Sequence, residues 1–170
     1  MEHANAKLGA GAAYAASAAY FIATVPRLPE CVASSFGASG IAQAFMPRAV
    51  YAAWFGGLCL LLPLVLLLAF CWLPRRFPQH TNIPLREIWL APENRAAFHA
   101  RMDRAGLRLG GSAALSFAAI HALVLEANDR QPARLSQGAF LLVLGAFVAV
   151  TVGTALHVSF ALRRPPARSA

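Results

Sequence analysis

The side chains that could carry chemistry in this sequence are few and widely spaced. Among 170 residues there are five histidines, three cysteines and seven acidic residues. No CxxC motif occurs, and no cysteine or histidine has the spacing of a zinc site. Ser34 and Ser35 have no histidine or acid at the spacing of a serine nucleophile. The sequence therefore predicts no catalytic residue, no metal site and no cofactor.

Two histidines, His121 and His157, lie within apolar segments. An ionisable residue inside a membrane is a functional hypothesis by default. With a rise of 1.5 Å per residue, their heights across a membrane would differ by roughly 15 Å, so we expect them not to share a metal ion. For His157 we favour a neutral imidazole hydrogen-bonded across a helix interface over proton handling. Neither segment contains the carboxylate that a proton relay would use.

The elements that hold these histidines are long apolar segments. The chain is 58% hydrophobic and 13% charged, whereas soluble domains carry about 25% charged residues. Segments near 20 apolar residues are long enough to cross a membrane as helices. We predict an all-α membrane protein with one four-span domain over residues 1–170. The predicted spans are approximately 8–25, 49–73, 109–125 and 138–162.

The first of these segments also resembles a cleavable signal peptide. Lys7 precedes a modest apolar run, and residues 16–18 read Ala-Ser-Ala. However, Glu2 occupies what would be the positively charged leader. We therefore expect a retained transmembrane helix.

The positions of lysine and arginine predict the orientation. Eleven of the 15 fall before residue 8, within 74–108 or after residue 162, and four fall within 26–48 or 126–137. By the positive-inside rule, both termini and residues 74–108 are cytoplasmic, and the other two loops face outward. This arrangement fits a bacterial inner membrane. The net charge of +8 comes from arginines between apolar spans, not from a basic stripe, so no nucleic-acid partner is expected.

Small residues at four-residue spacing predict how the helices pack, because such spacing lines one helix face and lets backbones approach. We expect three such faces to meet, and the leucine-rich second span to be the most exposed to lipid. The three sets are Gly11, Ala15, Ala19 and Ala23; Gly110, Ala114, Ala118 and Ala122; and Gly145, Ala149 and Gly153.

Two connecting segments have distinctive sequences. In residues 26–48, alternating Val32, Ser34 and Phe36 precede a Gly/Ser-rich turn, which indicates a short hairpin or an irregular loop. Residues 81–95 read TNIPLREIWLAPENR. Tryptophan favours the membrane interface, and Pro92 suits the start of a helix that runs toward the third span.

We interpret residues 81–95 as a docking element, since no metal-ligand or nucleophile pattern surrounds its two glutamates. Three arginines that follow, Arg101, Arg104 and Arg108, are expected to meet anionic lipid headgroups. The candidate contact residues are Asn82, Ile83, Pro84, Trp89, Leu90, Pro92, Glu93 and Arg95.

The same contact residues, together with Leu28-Pro29, Val32, Phe36 and Gly40, resemble two motifs of a group of small bacterial membrane proteins. Most of the group is uncharacterised, and its members share an N-terminal unit with the Sdp-type immunity protein. This chain departs from the motifs at Ser35, where the group often has histidine, and at Phe45, where it often has tryptophan. Further departures are Leu85, Ile88 and Asn94.

The leading hypothesis is a non-catalytic membrane protein that acts by contact with a partner. The resemblance implies an immunity-like role, and accessory or regulatory roles stay open. The partner would be another membrane protein or a second copy of this chain. The alternatives are a small transporter or channel that uses His121 or His157, and a structural subunit of a larger membrane complex.

Overall fold

The computed structural model describes residues 2–164, and the predicted cytoplasmic C-terminal tail with Arg168 lies outside them. Of the described residues, 75% are helical. Within the described range, four helices are long and apolar enough to cross a membrane: Lys7–Arg27, Arg48–Arg76, Arg95–Asn128 and Gln137–Leu162. The prediction of four apolar spans is confirmed, and the third span begins earlier than expected.

The chain order alternates long helices with short connections. A β-hairpin joins the first two long helices at one end, called here the hairpin end, and the opposite end is called the arginine end. The elements are α1 (Glu2–Thr24), β1 (Cys31–Phe36), β2 (Ala42–Pro47), α2 (Arg48–Leu67), a π-helical turn (Leu68–Trp72), α3 (Leu73–Arg76), α4 (Arg86–Leu90), α5 (Arg95–Asn128) and α6 (Gln137–Leu162).

Helix α5 is the centre of the fold and contacts α1, α2 and α6. Two of its glycines allow close approach to α2 and the π-helical turn. A Cβ at Gly106 would lie 2.9 Å from both Cys71 Sγ and Phe70 Cβ, and one at Gly110 would lie 3.2 Å from the Pro63 carbonyl oxygen. These glycines therefore let the backbones of neighbouring helices approach closely, as small residues do between membrane helices.

The predicted meeting of three small-residue faces is wrong. A Cβ at Gly11, Gly145 or Gly153 would meet no atom of a neighbouring element within 4 Å. The expectation that the second span is the most exposed is also wrong. In the most apolar stretch of this span 17% of the residues are buried inside the protein, compared with 6% for α6. Alanine-rich segments place small residues at four-residue spacing even where no helix packs against them. This spacing therefore predicted the packed helix face only on α5.

Residues 31–47 form an antiparallel hairpin in which Cys31 pairs with Pro47 and Phe36 pairs with Ala42. Gly40 in the connecting turn has a φ of +80°, and a Cβ there would lie 2.5 Å from the Leu135 carbonyl oxygen. Glycine is required at this position both by the left-handed backbone and by the close approach of the loop that joins α5 to α6.

Helix α5 begins at Arg95, three residues after the predicted start at Pro92. A turn precedes it, in which the backbone amides of Asn94 and Arg95 both donate to the Ala91 carbonyl at 3.0 Å. The helix then continues unbroken for 34 residues to Asn128. The helix predicted to start at Pro92 and the third span are therefore one continuous helix.

Candidate functional site: a histidine cluster beside a cleft under the hairpin

His121 lies near the hairpin end of α5 and is fully buried, with 0% of its surface exposed. Its two nearest polar partners come from other helices: Thr24 at the end of α1 and Tyr51 in the first turn of α2. Both are buried as well. We call Thr24, Tyr51 and His121, with the surrounding rings of Tyr20, Phe21 and Phe55, the His121 cluster.

Both ring nitrogens of His121 have a hydrogen-bond partner within the protein. The Thr24 hydroxyl donates to the Tyr20 carbonyl at 2.6 Å, so its oxygen is left to accept a hydrogen bond. That oxygen lies 2.9 Å from His121 Nε2, and the Tyr51 hydroxyl lies 3.0 Å from His121 Nδ1. A neutral imidazole with its proton on Nε2 satisfies all of these groups: Nε2–H donates to Thr24, and Nδ1 accepts from Tyr51.

Aromatic rings enclose the imidazole. The Phe21 ring centroid lies 4.6 Å from that of His121, and the Tyr20, Tyr51 and Phe55 centroids lie 5.9–6.1 Å away. Such rings exclude water, and a buried polar group is tolerated there only when its hydrogen bonds are made. The cluster therefore fixes the relative positions of α1, α2 and α5 at the hairpin end.

The hairpin is held onto the helices by side chain to backbone hydrogen bonds. The Asn128 amide pairs with Ala33 on both sides, accepting from its N–H at 2.8 Å and donating to its carbonyl at 3.2 Å. Gln137 Nε2 donates to the Gly37 carbonyl at 2.7 Å, and Arg48 donates to the Leu28 carbonyl at 2.8 Å. These bonds connect β1 to α5, its turn to α6, and the segment before β1 to α2.

A cleft of about 420 Å³ lies between the hairpin and the helices, and we call it the hairpin cleft. Its lining contains no charged residue. Tyr51 lines it and also belongs to the His121 cluster, so the hydrogen bond to the buried imidazole fixes one wall of the cleft. The lining residues are Ser34, Ser35, Phe36, Gly37, Ala38, Tyr51, Phe55, Ile120, Val124, Leu135, Gln137 and Phe140.

The structure places His157 far from the His121 cluster, at the arginine end of α6. It is exposed and lines a groove with Arg101 and Arg104 of α5. Across the residues described, His157 makes no interhelical hydrogen bond, so the favoured interpretation of this residue is wrong. His121 and His157 lie at different ends of the helices, as expected from helix geometry. His121 is enclosed by aromatic rings, and His157 lies beside arginines.

The candidate contact residues of 81–95 divide into exposed and buried members. Asn82, Pro84, Pro92, Glu93 and Arg95 are exposed. Arg95 is fixed in part, because its Nε and an Nη both donate to the Leu90 carbonyl. The exposed members remain a predicted contact surface.

The side chain of Trp89 lies in the buried core and not on an exposed surface. It is fully buried against Phe98, Met102 and Leu162, with Ile83 and Leu90 packed around this group. Its indole Nε1–H donates to the Leu162 carbonyl at 2.8 Å. Trp89 therefore connects the segment to the end of α6 and is not available to a partner, which corrects its place among the predicted contact residues.

Sequence reasoning missed Thr24, Tyr51, Asn128 and Gln137. A signal for the first two was present: each is a polar residue at the predicted outer end of its span, which is also where His121 falls. Helices that alternate in direction bring residues of equal depth together. Polar residues at equal depth in three apolar spans therefore indicate a shared hydrogen-bonded cluster.

Comparison of the chain with protein-family models, with curated proteins and with solved structures finds no match. The candidate site is therefore described by its own geometry. Its two parts are a satisfied, buried imidazole and an uncharged cleft whose wall that imidazole holds.

Proposed function

We propose that this chain is a multi-pass protein of a bacterial inner membrane that acts by binding, without catalysis. The hairpin cleft would accept an apolar segment of a membrane protein or a secreted peptide. The observation that carries this proposal is the uncharged 420 Å³ cleft with a wall fixed by Tyr51 and His121. Because the chain resembles a group that shares an N-terminal unit with the Sdp-type immunity protein, the proposed partner is one that harms the cell when it is left unbound.

The composition of the cleft supports an uncharged, largely apolar occupant. Ligand sites generally have volumes of about 300–1,000 Å³ and combine apolar walls with a few placed polar groups. Phe36, Phe55 and Phe140 supply apolar walls, and Ser34 and Ser35 supply hydroxyls. A charged ligand would lose its hydration there without gaining an opposite charge.

The charge distribution supports an orientation with the cleft facing outward. The hairpin end has Arg27, Arg48, Arg130 and Arg134, while the arginine end carries the larger share of the cations. The positive-inside rule favours the arginine end as the cytoplasmic side. In this orientation both termini are cytoplasmic, and the cleft opens to the outer side of the membrane.

The state of His121 supports binding over transport. A transport role would require its imidazole to meet a substrate or a proton carrier. Its side chain is fully buried, and both its nitrogens are already paired with hydroxyls of the protein. No carboxylate belongs to the His121 cluster, so no second proton acceptor lies beside it in this part of the chain.

Photocrosslinking in intact cells tests the binding proposal. A benzophenone amino acid in place of Phe36 should crosslink one apolar segment of one protein or peptide, identified by mass spectrometry of the adduct. The same probe in place of Phe160, which is exposed at the arginine end, is the position control. Lipid adducts alone at Phe36, or the same protein captured from Phe160, would contradict the proposal.

Filling the cleft provides a matched pair of variants for that experiment. Ala38→Trp places a large ring in the cleft, whereas Ala44→Trp places it on exposed β2 outside the cleft. Only Ala38→Trp should abolish the specific adduct. Equal loss in both variants would show that the adduct depends on general integrity of the hairpin.

Cys31 provides a direct test of orientation, since it is exposed on β1 while Cys59 is buried. A membrane-impermeant maleimide applied to intact cells should label the wild-type chain and fail to label Cys31→Ser. Labelling of Cys31 only after permeabilisation would place the hairpin in the cytoplasm and remove the outward-facing cleft from the proposal.

A further inference from the structure

A groove between α5 and α6 at the arginine end is lined by cationic side chains. Arg101, Arg104 and Arg108 follow each other at three- and four-residue spacing, which places them along one face of α5. They line a small cavity of about 60 Å³ with Thr154 and His157 of α6. This groove is separate from the hairpin cleft, and a ligand bound in it would be independent of the proposed binding function.

A wider opening of about 470 Å³ adjoins the small cavity. The two share Arg101, His157 and Ala161, and the wider part adds Arg164 and Phe160. Arg101 is held in place because its guanidinium carbon lies 4.8 Å from the Trp89 ring centroid, a cation–π arrangement. We call the two cavities together the basic groove.

One buried polar atom of the basic groove lacks a partner among the described residues. Thr154 is 3% exposed, and its Oγ1 makes no hydrogen bond within the described part of the chain. A threonine in a helix commonly satisfies its hydroxyl by donating to the carbonyl four residues earlier, as Thr151 does to Phe147 at 2.8 Å. A buried hydroxyl that forgoes this bond carries a free-energy penalty unless a ligand accepts from it.

Of the carboxylates that the structure describes at the arginine end, none neutralises the groove. Among the side chains described, no aspartate or glutamate lines either cavity. Asp103, the nearest in sequence, is directed to Arg75 on α3, with two hydrogen bonds of 2.7 and 2.8 Å. The groove therefore combines several cations, a buried hydroxyl donor and an apolar margin that includes Phe160 and Val158.

We propose that the basic groove binds the phosphate of one anionic phospholipid. The α5 arginines would pair with the phosphate oxygens, the Thr154 hydroxyl would donate to the deepest oxygen, and His157 would lie at the entrance. Phosphate chemistry matches guanidinium donors. The source is a lipid instead of a free anion because the groove opens beside the exposed apolar surface of α6, where acyl chains would lie.

Native mass spectrometry of the full chain in detergent tests this proposal, using phosphatidylglycerol, phosphatidylcholine and inorganic phosphate as separate probes. One phosphatidylglycerol should remain bound, and phosphatidylcholine should bind more weakly. Thr154→Val should raise the phosphatidylglycerol Kd about tenfold, because a hydrogen bond to a charged group is lost. Arg104→Gln should raise it about fivefold.

Two variants serve as matched controls. Thr151→Val removes a satisfied hydroxyl from the same helix outside the groove, and Arg76→Gln removes a cation at the same end that does not line it. Both should leave the Kd unchanged, and Thr154→Ser should retain binding. If Thr154→Val does not fold, the comparison of Arg104→Gln with Arg76→Gln decides the question.

Three results would overturn the proposal. Equal affinity for phosphatidylglycerol and phosphatidylcholine would show that the cations do not select the headgroup. A folded Thr154→Val chain with unchanged affinity would remove the built site. Displacement of the lipid by inorganic phosphate at an equal concentration would show that the groove binds free anions and that the lipid source is wrong.

Discussion

Helices α5 and α6 carry similar residues but use them in opposite ways. Each has a histidine within its apolar span and several glycines, yet α5 packs against three helices, whereas α6 packs mainly against α5 and exposes most of its apolar side chains. His121 of α5 has protein partners at both ring nitrogens, whereas His157 of α6 lies exposed beside arginines. Residue type alone therefore does not distinguish a structural position from a ligand-accessible one.

The largest effect that would test this comparison is expected at the two histidines. His121→Leu removes two buried hydrogen bonds and leaves the Tyr51 hydroxyl without its acceptor. We expect the free energy of unfolding in detergent to fall by about 2–3 kcal/mol. His157→Leu is the matched change on α6 and should leave the unfolding midpoint unchanged. Equal destabilisation by both substitutions would contradict the assignment of His121 alone as the structural histidine.

The glycines provide a second test. Gly106→Ala places a Cβ 2.9 Å from Cys71 Sγ and Phe70 Cβ, so α5 and the π-helical turn must separate. We expect a loss of about 2 kcal/mol, as in other overpacked cores. Gly153→Ala on α6 meets no neighbouring atom and should cause no loss. A destabilised Gly153→Ala chain would reveal that the exposed face of α6 is covered, for instance by a second copy.

These two tests also show which part of the fold the sequence could predict. The four spans followed from apolar runs, because burial in lipid acts on each segment by itself. Which faces pack could not be predicted, since Gly106 meets the residues around Cys71 only after the intervening chain has folded back. Gly145 and Gly153 lie in the same pattern of small residues as Gly110, but only Gly110 packs against a neighbouring helix.

The candidate site was recovered only in part for the same reason. His121 was identified because a polar residue in an apolar run is conspicuous. Its partners Thr24 and Tyr51 are 97 and 70 residues away in the chain, and their roles depend on helix register. Composition predicts Trp89 at the membrane interface, but its indole N–H reaches the carbonyl at the end of α6. The carbonyls that end a helix need such donors.

Trp89 therefore offers a smaller test of how α6 is attached. Trp89→Phe keeps an aromatic ring in the core but loses the donor to the Leu162 carbonyl. The free energy of unfolding should fall by about 1.5 kcal/mol. Trp54→Phe is the control, because Trp54 is 73% exposed and should tolerate the change. A stable Trp89→Phe chain would mean that the end of α6 is held by α5 alone.

The smallest effect is expected at Leu85, which sets the direction of the segment joining α2 to α5. Leu85 has a φ of +52°, in the left-handed region, and its carbonyl accepts from the Trp89 amide at 3.0 Å. A branched apolar residue is strained there, whereas asparagine tolerates this backbone. Leu85→Asn should stabilise the chain by about 1 kcal/mol in detergent unfolding. Leu85→Ala removes the same apolar side chain without relieving the backbone, so it should bring no gain. Equal gains from both substitutions would mean that losing an exposed leucine, and not backbone strain, explains the change.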